Sequence, residues 1–150
     1  MTYNNFNYTQ DSTVGGIAKA AMFASLFAND LKHMHWHAVG TDFDKVHDIS
    51  EVLYEEASHE ADDLAEIAIA AGEKIPNIST ATSFVASCEW KIITDEAVDW
   101  VSFIEHLAEQ GTKYVQTLRS IQDADPIIDD FIHFWEKEVH YKNFARSFNA

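Results

Sequence analysis

The segment His33–Glu66, HMHWHAVGTDFDKVHDISEVLYEEASHEADDLAE, decides the fold and the chemistry together. Its centre, Val39-Gly40-Thr41, breaks a helical pattern, and Gly40 marks the break because it adopts turn conformations closed to other residues. After the break His47 and Glu51 stand four apart, as do Asp62 and Glu66 further on, so each pair shares a helix face. Two acids at that spacing with no base between them repel each other, and a bound cation removes the repulsion. Imidazole and carboxylate in one segment suit iron or another transition cation.

Helical spacing extends in both directions. Upstream, Ile17, Ala21, Ala24, Phe27, Ala28, Leu31 and His35 fall on one face of a first helix, with Ser12 or Thr13 available as a cap and Gly15 and Gly16 in its first turn. A second helix is expected from about Asp44 to Ala71, with Val46, Ile49, Leu53, Ala57, Leu64 and Ala68 buried and Gly72 closing it. Pro76 and the polar run 77–83 form a crossover, with room for a short helix around Phe84–Trp90. Thr94, Asp95 and Glu96 suit the start of a third helix over about 95–121, with Val98, Val101, Ile104, Leu107, Val115 and Leu118 buried. Pro126 suits the first position of a fourth helix running to about Phe148, with Ile127, Phe131, Phe134 or Trp135, and Phe144 inside. The expected fold class is all-α, a ferritin-like four-helix bundle with its long connection between helices 2 and 3. One domain spans residues 1–150, with 1–11 as a flexible tail.

Composition narrows the function. The chain has 150 residues, 47% of them hydrophobic, which suffices for one real core. Asp and Glu number 25 against 10 Lys and Arg, a formal charge of −15 that repels nucleic acid and anionic membrane and gathers cations. Cys88 is alone, so an internal disulfide and a cysteine zinc site are excluded. The polar N-terminus lacks the basic start of a signal peptide, and no apolar run matches a membrane helix. A cytoplasmic, soluble protein is expected.

Spacing also says how the acid and histidine pairs can meet. The fifteen residues from His47 to Asp62 turn through about 1500°, returning to within roughly 60° of the same face, but climb about 22 Å along the axis. One straight helix cannot close both pairs on one cation. A second, antiparallel copy about a twofold axis near Glu56 and Ala57 would bring His47 and Glu51 of one chain to Asp62 and Glu66 of the other, giving two equivalent sites per dimer. His35, at the end of the first helix, joins the His47 end.

His35-Trp36, Gly40, Phe43, His47, Tyr54, Asp62 and Glu66 closely resemble, without a gap, the signature of the Dps family, the mini-ferritins. The resemblance implies a ferroxidase site with His35 and His47 from one subunit and Asp62 and Glu66 from its twofold partner. Glu51 takes the place of a common aspartate that binds or supports iron. It further implies a homo-oligomer, a hollow dodecamer, that oxidises Fe(II), typically with hydrogen peroxide and otherwise with dioxygen, and stores Fe(III) inside. The site would hold one or two irons, with zinc as a substitute, and Trp36 beside it would intercept radicals or pack. Asp123, Asp125, Asp129 and Asp130 match the region lining the threefold iron-entry pore, although helix-dipole complementation explains acids there equally well.

Two departures matter. The lysine-rich tail with which many members grip DNA is missing, the first lysine being Lys19, so DNA binding is not expected. Lys142 stands where members often carry a tryptophan two residues after the histidine that His140 resembles. A DNA-compacting relative and a helical scaffold with a vestigial site are the alternatives. Glu56 and His59 form the ExxH pair of di-iron bundles, but the chain has no second copy, so surface or interface roles are expected for them. His33, His37, His106 and His133 read as structural or solvated, Trp90, Trp100 and Trp135 as core or contact residues, and Cys88 carries no assigned chemistry.

Overall fold

The computed structural model of the chain describes residues 14–77 and 90–138. Among them lie four helices: α1 (Gly16–Trp36), α2 (Phe43–Ala70), α3 (Trp100–Ser120) and α4 (Ile127–Glu136), with a single 3₁₀ turn, Gln122–Ala124, before α4. The only β-type pairing among the described residues is an isolated bridge between Ala38 and Val98.

Contacts give the directions. His35, at the end of α1, stacks on His47, at the start of α2, while the far end of α2 returns to the beginning of α1 through Glu73. Those two helices are therefore antiparallel. The approach to α3 lies at the end of α1, where His33 Nε2 donates to the Asp95 carbonyl, and Ile121 beyond α3 packs near Gly16. So α3 runs against α1 and parallel to α2. Parallel neighbours cannot be joined by a tight turn, and the connection from 71 to 99 has to travel back along a helix about 40 Å long. The arrangement is the expected ferritin-like bundle with its crossover between helices 2 and 3.

Small residues place α1 at the centre. Ala18, Ala20, Ala21, Ala24 and Ala28 are all buried, which lets neighbouring helices approach closely and surround it. Around them Phe27, Leu31, Leu53, Leu64, Phe103, Leu107, Leu118 and Trp135 close the core, each contributing about 1.5–3 kcal/mol by leaving water. The rings of Phe27, Tyr114 and Trp135 meet at centroid distances of 4.9 to 5.9 Å.

The start of α1 is capped from a distance. Gly15 at its N-cap offers no side chain, and Glu73 Oε1 instead accepts the Ala18 amide at 2.8 Å. Gly72, at φ +85°, turns the chain after α2 so that Glu73 reaches back. A Cβ at Gly15 would lie 2.3 Å from the Glu73 carboxylate, so any larger residue here must displace the side chain that caps Ala18.

The start of α3 corrects the sequence reading. Residues 90–99 are not helical, and the helix begins at Trp100, capped by Asp99, whose carboxylate accepts the Ser102 amide at 2.9 Å. Thr94 caps nothing, and Val101, expected inside, is 52% exposed. Tertiary bonds won over local preference: Ile93 and Val98 are buried, and Val98 exchanges backbone bonds with His37 and Val39. The expected cap of α1 by Ser12 or Thr13 is also corrected, since the N-cap is Gly15. Trp90 is buried in this same extended run, and the rest of the expected Phe84–Trp90 helix lies outside the described residues, as do the 1–11 tail, Cys88, His140 and Phe144.

Candidate metal centre

His35 and His47 are brought together by the turn between α1 and α2. Gly40, at φ +96°, allows the tight reversal, and the two rings stack with centroids 3.8 Å apart. His35 is 8% exposed, and its Nδ1 lies 2.7 Å from the His47 carbonyl oxygen. A carbonyl only accepts, so Nδ1 carries the proton and Nε2 keeps its lone pair for a cation. Ser50, buried beneath, donates to the Val46 carbonyl at 2.6 Å and places its oxygen 3.4 Å from His35 Nδ1. Tyr54 meets the His35 ring edge-on, and Phe43 stacks on His47. His47 is more open, its side chain 39% exposed, with Nδ1 3.5 Å from Asp48.

Glu51, one turn beyond His47, is exposed. Asp62 and Glu66 are exposed on the same helix but lie in different surroundings. Asp62 borders shallow grooves between α1 and α2 lined by Ser25, Asn29, Lys32 and Ser58 on one side and Met22, Ile75 and Pro76 on the other. Glu66 borders a cavity of about 310 Å³ with Asp63, Ile67, Ala70, Asp125 and Ile127. Within one chain, among the described residues, no three histidine, cysteine or acidic side chains converge as a metal cage. His35 and His47 meet, and Asp62 and Glu66 stand along α2 from them.

Trp36 is 70% exposed beside His35. Of the four aspartates near the start of α4, Asp125 accepts the Ile127 amide at 2.9 Å and Asp129 accepts from Gln122 Nε2 at 2.9 Å, while Asp123 and Asp130 are exposed. Asp125 thus serves as a local cap while lining the cavity it shares with Glu66. Trp100 is half-buried under the Lys45 ammonium.

Two buried acids escaped the sequence reading. Glu60, fully buried on α2, accepts from Tyr114 Oη and Trp135 Nε1, both at 2.8 Å, and its Oε2 has no partner. Burial first, and then the neighbouring Glu56 carboxyl, push Glu60 up to about 10. At neutral pH it is a neutral acid, and Phe27, Tyr114 and Trp135 occupy the space around it. His59, the other half of the ExxH pair with Glu56, faces solvent and pairs with Asp63 at 3.3 Å. Asp30 on α1 is the second buried acid, held by Trp90, Gln110 and Ile93. The signal for both lay in the pattern: each interrupts an apolar stripe, Asp30 between Phe27 and Met34, Glu60 between Ala57 and Leu64.

A family model described as the ferritin-like domain matches residues 21–128, most of the chain. The chain belongs to the ferritin-like family. Its fold matches the crystal structure of the Dps protein from Vibrio cholerae O1, described as a member of a broad superfamily of ferritin-like diiron-carboxylate proteins. The TM-score is 0.73 over 88% of this chain and 87% of that one, at 19% sequence identity. No curated protein sequence matches the chain. At this identity the structural likeness speaks for a ferritin-like bundle of Dps type as architecture, and the bundle's residues have to carry the chemistry. No helix among the described residues is long and apolar enough to cross a membrane.

Proposed function

We propose that this ferritin-like chain is an iron-oxidising and iron-storing protein of Dps type, working as a homo-oligomer whose metal sites are shared by twofold-related copies. The observation that carries the reading is the meeting of His35 and His47 at the α1–α2 turn, with Nδ1 of His35 committed to a carbonyl so that Nε2 is bare. Two imidazoles and an exposed Glu51 make half of a site. Asp62 and Glu66, exposed on α2 about 22 Å further along, make the other half, which a partner copy supplies. The exposed Trp36 and Phe43 flank the half-site and are covered in such a pairing.

Fe(II) is the substrate. The charge of −15 per chain draws it in, and twelve chains in a closed dodecamer would multiply that charge twelvefold. Asp123, Asp125, Asp129 and Asp130 form the acidic approach in this reading, which is supported by Asp125 and Glu66 bordering the same open depression. Carboxylates from Asp62, Glu66 and Glu51 favour Fe(III) over Fe(II), which lowers the cost of oxidation, while the neutral imidazoles leave positions open for the oxidant. One hydrogen peroxide takes one electron from each of two ferrous ions, its O–O bond breaks, and two protons complete two waters. Zinc fits the same donor set and would block it. The protein thereby removes iron and peroxide together in a cytoplasm and leaves DNA unbound.

The test is anaerobic Fe(II) titration followed by stopped-flow oxidation of the parent and of His47→Ala with Asp62→Ala. The parent binds iron at two equivalent sites per dimer and oxidises it rapidly, and the double variant, still assembled, loses the rapid phase. A double variant that oxidises as fast as the parent places the site elsewhere.

A further inference from the structure

Residues Trp90–Asp99 form an extended strap across the ends of α1 and α3. One end is tied to Asp30. Its carboxylate, 3% exposed, accepts from Trp90 Nε1 at 3.0 Å, from Gln110 Nε2 at 3.3 Å and from the Ile93 amide at 3.4 Å. Trp90 and Ile93 are buried with it, and the Trp90 ring packs on Phe23 and Phe27. The other end grips the turn after His35: His33 donates to the Asp95 carbonyl, the Val98 amide to the His37 carbonyl at 2.8 Å, and the Val39 amide to the Val98 carbonyl at 3.0 Å.

All three donors on Asp30 are neutral, and no ammonium or guanidinium bonds to it among the described residues. An ionised carboxylate in that position gives up hydration for hydrogen bonds that do not cancel its charge. Gln110 is fully buried and bonds the Lys91 carbonyl, yet its Oε1 has no partner.

We propose that Asp30 is a proton-sensitive anchor for the strap: its protonated form holds Trp90–Asp99 closed, and ionisation of the same carboxyl weakens the hold.

The direction follows from linkage. With the strap closed, burial raises Asp30 to about 6, against the ordinary 3.8 that an opened, hydrated carboxyl regains. Protons therefore bind the closed form more tightly than the open one. Below about pH 4 both forms are protonated and opening is rarest. It rises between about pH 4 and 6 and levels off above, a total change on the order of 100-fold. His106 on α3 is the titratable side chain that acts on Asp30, and its Nε2 lies 3.0 Å from the Asp95 carboxylate. The other titratable groups nearby are Lys91 and Asp95 on the strap, both exposed, and His33 on α1, bonded to the Asp95 carbonyl. Since the strap's far end holds the turn carrying His35, its opening loosens the histidine half of the proposed iron site, a consequence that rests on the reading above.

Hydrogen exchange of the iron-free, full-length protein from pH 4 to 7.5, corrected for intrinsic exchange, tests the anchor without any metal. Opening measured at peptides covering Ile93 rises on the order of 100-fold and flattens above pH 6. In Asp30→Asn, which keeps the shape but cannot ionise, it stays flat. Trp90→Phe removes one donor from the carboxylate, so the midpoint moves to higher pH, and this variant serves if the asparagine chain does not fold. A slope unchanged in Asp30→Asn, or a midpoint unmoved in Trp90→Phe, overturns the proposal. Loss of iron oxidation in His47→Ala leaves these profiles where they are.

Discussion

Replacing Glu60 with glutamine should stabilise the protein, increasingly so as the solution becomes alkaline. Burial and the Glu56 carboxyl raise Glu60 from 4.5 to about 10 in the folded chain. Between those values the folded state holds a proton that the unfolded state has released. Stability contributed by this group is fully present below about pH 4.5 and is lost by about 1.4 kcal/mol for each unit of pH up to about 10. Between pH 6 and 8 the loss is roughly 3 kcal/mol, a large part of a domain's net stability. Glutamine is nearly isosteric, keeps an oxygen for Tyr114 and Trp135, and replaces the unpartnered Oε2 with an amide nitrogen that cannot ionise. The assay is urea unfolding of parent and Glu60→Gln at pH 6, 7 and 8, at one protein concentration so that assembly contributes equally. Asp30 does not confound the comparison, because parent and variant both carry it and its contribution cancels in their difference. The advantage of the glutamine variant should widen by roughly 3 kcal/mol across the series. Parallel curves would show that Glu60 is already ionised in the fold and would refute the argument from burial.

Glu73→Ala removes the acceptor from the Ala18 amide and leaves the start of α1 uncapped, costing about 1 kcal/mol by thermal or urea unfolding. Gly15→Ala attacks the same contact from the other side, since its methyl meets the Glu73 carboxylate, and adding Glu73→Ala to it should recover part of the loss. Site sharing predicts complementation: His47→Ala chains and Asp62→Ala chains, each inactive alone, recover about a quarter of parental oxidation when co-assembled in equal amounts, because half of the twofold pairs are mixed and each holds one intact site. Co-assembly with no recovered activity would mean that each site is built within a single chain.

The bundle was legible because α1 and α2 are written in apolar periodicity. The observed α2, Phe43–Ala70, falls within a residue of the expected bounds at both ends, while α1, Gly16–Trp36, stops four residues short of Gly40. The misplaced start of α3 has a clear cause. Asp95 and Glu96 have the composition of a first helical turn, but Asp30, His33 and His37 draw residues 90–98 into extended pairing with α1. Those partners lie more than fifty residues away in the chain, and local preference carries no information about them. The distant cap by Glu73 was invisible for the same reason.

The candidate site was legible only in its residue types and spacing, and α2 explains where that stops. Among the helix's acid pairs four residues apart are Glu56/Glu60 and Asp62/Glu66. Spacing alone treats them alike, and both suit a cation. Packing separates them. Glu60 sits on the stripe of Leu53, Ala57 and Leu64, so it is driven inside, loses its charge and serves as an acceptor for Tyr114 and Trp135. Asp62 and Glu66 lie off that stripe and are exposed to solvent. A stripe of apolar neighbours therefore decides which acid pair is core and which is left on the surface, open to a ligand. Under the proposed function it also sets the form of the chemistry, since ligands turned outward would close around iron only against another copy of the same chain.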